Sequence, residues 1–168
     1  YYGDPDADRI IVAMGSVIEV IEETVDYLRN KGEKVGLVKV RLYRPFSVDR
    51  LLKVIPTSVK NIAVLDRTKE PGSAGEPLYL DVLRAISEMD NPPRVVGGRF
   101  GLGSKDPFPS DIAGVYENLL KDKPKNRFTI GIVDDVTNSS LKPNKEVDVA
   151  AEGTTACKFW GLGSDGTV

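Results

Sequence analysis

Arg9-Ile10-Ile11-Val12-Ala13-Met14-Gly15-Ser16-Val17 is the stretch on which the fold turns. The apolar run from Ile10 to Met14 has the length of a strand and no polar alternation, and Gly15 ends it. Ser16, with Glu19 three positions later, is a capping-box pattern that predicts a helix start. Val17, Ile21, Val25 and Leu28 then recur at helical spacing until Asn30-Lys31-Gly32. A short apolar strand feeding an amphipathic helix is the repeating unit of an α/β fold.

The alternation continues outward. Lys34 to Leu42 predicts a second strand, and Arg44-Pro45-Phe46-Ser47 breaks it, with Ser47 placed to cap a short helix carrying Val48, Leu51, Leu52 and Ile55. Ile62 to Leu65 predicts a third strand, left through the charged loop Asp66-Arg67-Thr68-Lys69-Glu70-Pro71-Gly72. Pro77 suits the first turn of a helix to about Met89. Val95-Val96 begins a fourth strand that runs into Gly97-Gly98-Arg99-Phe100-Gly101-Leu102-Gly103-Ser104. Ser110-Asp111 opens a helix through Leu120, and Phe128 to Val133 predicts a fifth strand. Five strands alternating with four helices predict a mostly parallel sheet covered on both faces.

From Asp134 the texture turns polar. Asn138 to Lys145 and Ala151 to Thr155 predict a linker, or an arm lying over a neighbour, across residues 136–156. A short run, Cys157-Lys158-Phe159-Trp160, then precedes Gly161-Leu162-Gly163-Ser164-Asp165-Gly166-Thr167-Val168. The expected organisation is an α/β domain over 1–135, the linker, and the start of a further domain over 157–168.

Composition narrows the chemistry. The 168 residues are 40% hydrophobic and 29% charged, the balance of a globular protein, and the net charge of −2 offers no field for nucleic acid. No stretch reaches the roughly 20 apolar residues that span a bilayer. The start, Tyr1-Tyr2-Gly3-Asp4, carries neither an initiator Met nor a signal-peptide pattern, so the chain is expected to begin partway through a larger protein or to have been processed, and a cytoplasmic origin fits. There is no histidine and one cysteine, Cys157. An internal disulfide, a cysteine-held Fe–S cluster and the usual nucleophile–histidine pairs are therefore excluded, and the chain alone is not expected to be a complete enzyme.

Three stretches are candidate sites. Gly161-x-Gly163-x-x-Gly166 matches the dinucleotide-loop spacing, and both a phosphate cradle and a Gly-rich turn between strands fit it. Gly97 to Asp106 follows a strand, where open sheets place ligand loops; Arg99 and Lys105 would hold an anion, or the loop packs on another domain. The Asp66–Gly72 loop reads the same way, as a site or as an interface ion network. Arg41-Leu42-Tyr43-Arg44-Pro45-Phe46 is either an interface anchor or an ordinary strand-to-helix corner.

Several of these stretches together resemble the pyruvate:ferredoxin (flavodoxin) oxidoreductases. They are Val12 to Ser16, Lys39 to Phe46, Val64 to Gly72, Gly97 to Asp106, Gly131-Ile132-Val133-Asp134-Asp135-Val136-Thr137, and Lys158 to Val168. The resemblance implies a transketolase C-terminal-like domain, a three-layer α/β/α unit whose five-stranded sheet has one antiparallel strand, with an architectural, dimer-supporting role. It implies a parent that oxidatively decarboxylates pyruvate to acetyl-CoA and CO2 and reduces ferredoxin or flavodoxin. Its thiamine diphosphate, Mg2+ and [4Fe–4S] clusters would lie on other domains. The Gly163, Ser164, Asp165, Gly166 and Thr167 loop would contact coenzyme A. The competing expectations are a stand-alone anion- or nucleotide-binding module and a subunit-contact protein.

Overall fold

In a computed structural model, which describes residues 1–160, apolar runs become buried parallel strands and each helical period becomes a covering helix. In chain order the strands are β1 (Tyr2–Gly3), β2 (Arg9–Ala13), β3 (Val35–Lys39), β4 (Asn61–Asp66), β5 (Arg94–Arg99) and β6 (Phe128–Thr129). The helices are α1 (Val17–Asn30), α2 (Val48–Val54), α3 (Pro77–Ile86) and α4 (Pro109–Leu119). The sheet order is β1-β3-β2-β4-β5-β6. All neighbours pair in parallel except β1, which is antiparallel to β3 with Tyr2 opposite Leu37 and Gly3 opposite Gly36.

The two-residue period of the strands builds two cores. Ile11, Ala13, Val35, Leu37, Ala63 and Leu65 face α1 and α4, meeting Ile21, Val25, Ile112, Val115 and Tyr116. The alternate positions Ile10, Val12, Val38, Ile62 and Val64 face α2 and α3, meeting Leu51, Leu78 and Val82. A sheet covered on both sides needs apolar residues at successive positions, which is why β2 and β4 read as unbroken runs.

Four expectations are corrected. The sheet has six strands rather than five: β1 has only two residues, too few for a pattern, and exists because β3 offers it an edge. The second and fifth strands are shorter than Lys34–Leu42 and Phe128–Val133, since their ends turn into loops before the apolar residues run out. The third helix stops at Ile86 rather than Met89. Ser16 does precede α1, but its backbone is already helical (φ −64°, ψ −23°) and its side chain makes no cap bond. Ser47 has the extended backbone a cap requires, and its Oγ accepts the Arg50 N–H.

The polar segment after Asp134 does not leave the domain at once. Thr129 N–H donates to the Ser139 carbonyl (3.1 Å), Leu141 N–H donates to the Thr129 carbonyl (2.9 Å), and Asn144 N–H reaches the Ser110 carbonyl (2.8 Å). Ser140 forms a parallel bridge with Thr129, so this stretch lies along the outer edge of β6. No helix among the described residues is long and apolar enough to cross a membrane.

Candidate functional site

Parallel strands send every strand-to-helix loop to the same end of a sheet, so the carboxyl ends of β2 to β6 form one rim. The chain reverses direction across the sheet at the boundary of β2 and β4, since β3 lies on one side of β2 and β5 on the other side of β4. Open α/β sheets commonly use that boundary as a binding crevice.

Here the charges at the boundary serve the fold. Asp66 ends β4 and is buried; its carboxylate accepts the N–H groups of Leu78 (2.9 Å) and Tyr79 (3.1 Å), capping α3 from twelve residues upstream. Burial pushes its pKa up, against the opposing pull of those two backbone bonds. Glu76, the last residue before α3, is fully buried, and its Oε1 accepts the Arg99 Nε–H at 2.6 Å. Glu76 Oε2 has no hydrogen-bond partner among the described residues. Arg99 therefore turns its Nε–H inward onto Glu76, an internal pair at the base of the Gly97–Asp106 loop.

Because the Asp66 pKa is raised on folding, the native state holds its proton to higher pH than the unfolded chain does. Its contribution to stability then falls as pH rises from the ordinary value of 3.8 through the raised one. Asp66→Asn removes that titration. The wild-type chain should lose stability relative to the variant as pH rises above 3.8, as read from urea midpoints; a constant difference would refute it.

The Arg41–Phe46 corner is built by side chains. Tyr43 Oη donates to Asp81 Oδ2 (2.7 Å), and Arg44 pairs with the same oxygen (2.8 Å) while its guanidinium lies 3.9 Å from the Tyr43 ring centre. Phe46 meets Tyr43 edge-on. Burial, then the Asp81 bond, push the Tyr43 pKa up to about 12. The corner throws Leu42 outward, 72% exposed.

Beyond β5, Gly101 and Gly103 both take positive φ around a single 3-10 turn, Leu102–Ser104, leaving Lys105 and Asp106 exposed. Phe108, before α4, is 67% exposed, and its N–H donates to Asp111 (2.9 Å) as half of a capping box. Beyond β6, Asp134 accepts from the N–H groups of Val136, Thr137 and Ser139 and from the hydroxyls of Thr137 and Ser139. Those donors hold its pKa well below the ordinary carboxylate value. The turn they close carries Val133 and Val136 outward, 89% and 86% exposed. A groove of about 660 Å³ runs between Phe108, Asp111, Ile132, Val133 and Leu141.

The rim thus combines rigid, internally bonded loops with large apolar side chains in solvent. Sequence reasoning singled out Arg99 and missed Glu76 and Asp81, whose roles depend on partners far away in the chain. The loop expected to contact coenzyme A, Gly163 to Thr167, lies outside the described residues, as does Gly161, the first glycine of the dinucleotide-like pattern.

The fold defines the class first: a doubly wound α/β domain with its loops gathered at one end of the sheet. Residues 7–112 match the family described as pyruvate:ferredoxin oxidoreductase core domain II. The chain is 62% identical over 168 residues to the pyruvate:ferredoxin oxidoreductase of Moorella thermoacetica, and 60% identical over 169 to the pyruvate-flavodoxin oxidoreductase of Enterobacter agglomerans. Each alignment covers 100% of this chain and 14% of the relative. A solved 2-oxoglutarate:ferredoxin oxidoreductase from Magnetococcus marinus, with 2-oxoglutarate, coenzyme A and succinyl-CoA bound, gives a TM-score of 0.49 at 20% identity, over 72% of this chain and 19% of that one. The chain belongs to the pyruvate:ferredoxin oxidoreductase core domain II family.

Proposed function

We propose that this chain is an architectural domain of an enzyme that oxidatively decarboxylates pyruvate to acetyl-CoA and CO2, delivering electrons to ferredoxin or flavodoxin. The observation that carries the reading is the rim, where Leu42, Phe108, Val133 and Val136 stand exposed on loops locked by their own bonds. Exposed apolar groups on internally bonded loops are what an interface uses, and Asp66 and the Glu76–Arg99 pair bond within the domain. The rim is the surface by which the domain packs on the rest of a homodimeric, cytoplasmic enzyme.

Thiamine diphosphate, Mg2+ and [4Fe–4S] clusters belong elsewhere in that enzyme. Cys157 is the one thiolate in the sequence, too few to hold such a cluster. The Gly163–Thr167 loop contacts coenzyme A, a role supported by its resemblance to the family's Gly-Ser-Asp-Gly-Thr loop. The stand-alone anion-binding alternative has less support, because Arg99 gives its Nε–H to Glu76.

Two variants of the longer enzyme test both parts. Phe108→Glu should lower its thermal midpoint or dissociate its subunits; unchanged assembly and midpoint would remove the interface reading. Gly166→Leu should raise KM for coenzyme A roughly tenfold, about 1.4 kcal/mol, while sparing pyruvate decarboxylation. Loss of decarboxylation together with coenzyme A dependence would remove the loop assignment.

A further inference from the structure

The opposite flank of the sheet is only partly closed. β1 pairs with β3 at Gly36 and Leu37 and, among the described residues, no farther toward Lys39. The hydrogen-bond pattern fixes what comes next. Asp4 N–H donates to the Val35 carbonyl, so Asp4–Val35 and Tyr2–Leu37 are the bonded pairs of this antiparallel ladder. Val40 N–H donates to Ala13 of β2, so even-numbered residues of β3 bond inward and odd-numbered ones outward. The N–H and C=O of Lys39 therefore face the open edge, and the residue immediately before Tyr1 is the one the register sets against them.

The Tyr1 side chain also lies on β3. Its ring lies over Gly36, two positions along on the same face as Val38, the residue the ladder places opposite Tyr1. A Cβ on Gly36 would come 2.7 Å from Tyr1 Cζ, so the glycine makes room for the ring. Beyond it runs a groove of about 540 Å³ whose lining includes Tyr1, Val40, Leu42, Phe46, Leu51 and Val54. The groove begins where β1 stops and follows the unpaired edge.

We propose that, in the longer enzymes this domain belongs to, the polypeptide leading into Tyr1 continues antiparallel along β3 and lies in this groove, lengthening β1 into a full edge strand. Three features select that occupant. Register continuity needs no new turn. The relatives are far longer than this chain, which spans 14% of their length. An edge strand with open N–H and C=O groups is covered in stable proteins, and strand addition supplies the missing bonds. The register also sets the chemistry. The residue two before Tyr1 falls opposite Val40, on the face that meets Leu42, Phe46 and Leu51, and is apolar. The residue just before Tyr1 faces Lys39 on the other side.

Hydrogen exchange and directed cross-linking in the longer enzyme test this. The Lys39 amide should exchange as slowly as that of Leu37; exchange at the rate of an open amide would overturn the proposal. Residues opposite one another in a non-bonded antiparallel pair have Cα atoms about 4.5 Å apart, within disulfide reach. Val40→Cys paired with a cysteine two positions before Tyr1 should therefore oxidise to a disulfide, and one placed three positions before should not. A protected Lys39 without the disulfide, or with the disulfide in the shifted register, would mean that another segment or another subunit covers the edge, and would equally refute it. The exchange measurement uses the unmodified enzyme, so a variant that fails to fold leaves the test intact.

Discussion

Glu76→Ala should destabilise this domain by about 3–5 kcal/mol, the cost of leaving a buried charge without its partner. Arg99 sits at the end of β5 with its side chain 9% exposed, and its Nε–H bond to Glu76 Oε1 is 2.6 Å long. Removing the carboxylate leaves the guanidinium desolvated and uncompensated. The pair itself is not the source of that cost, because ion pairs taken out of water contribute little net stability. The double variant Glu76→Leu, Arg99→Met should therefore recover most of the loss. Urea unfolding of the two variants checks both halves. A cost for Glu76→Ala below about 1 kcal/mol would mean the site is wet and behaves like a surface pair.

Gly98→Ala should also be damaging, for the opposite reason. A methyl group there would fall inside contact distance of Phe128 Cε2 and Cζ and 2.9 Å from Leu65 Cδ2. Phe128 is fully buried and is half of β6, so it has little freedom to retreat. Overpacking of this kind costs about 1–3 kcal/mol, and Phe128→Ala, which empties the same space, about 3–5 kcal/mol. Gly98→Ala combined with Phe128→Leu should cost less than the sum of the two single changes, with a coupling of about 0.5–3 kcal/mol. Thermal or urea midpoints for the four proteins close the cycle, and strict additivity would show that Phe128 is not what the methyl group meets.

The parts of this fold legible in the sequence were those whose signal is local. β2 and β4 are continuous apolar runs because both of their faces are covered, and α1 carries a helical period along one face. What could not be read depends on distant partners. β1 is two residues whose conformation is set by Gly36 and Leu37, more than thirty positions later. The cap of α3 comes from Asp66 across the sheet's end, whereas the local capping box at Ser16 is unused because that residue has already entered the helix. Arg99 looked like an anion ligand in a Gly-rich loop. Its inward turn follows from Glu76, which sits at the start of a helix 23 residues earlier and gives no sign in sequence of being buried.

Ser139, Ser140 and Leu141 lie against the outer side of β6, with hydrogen bonds to both the N–H and the carbonyl of Thr129. The consequence is protection from aggregation. A sheet whose last strand is only two residues long would otherwise offer a bare template to any exposed strand, including that of a second molecule still folding. Here the template is filled by the same chain a few residues later, through a tether too short to exchange readily between molecules. The polar stretch that reads as a mere connection is therefore a stopper, ending the sheet on that flank as soon as it is made.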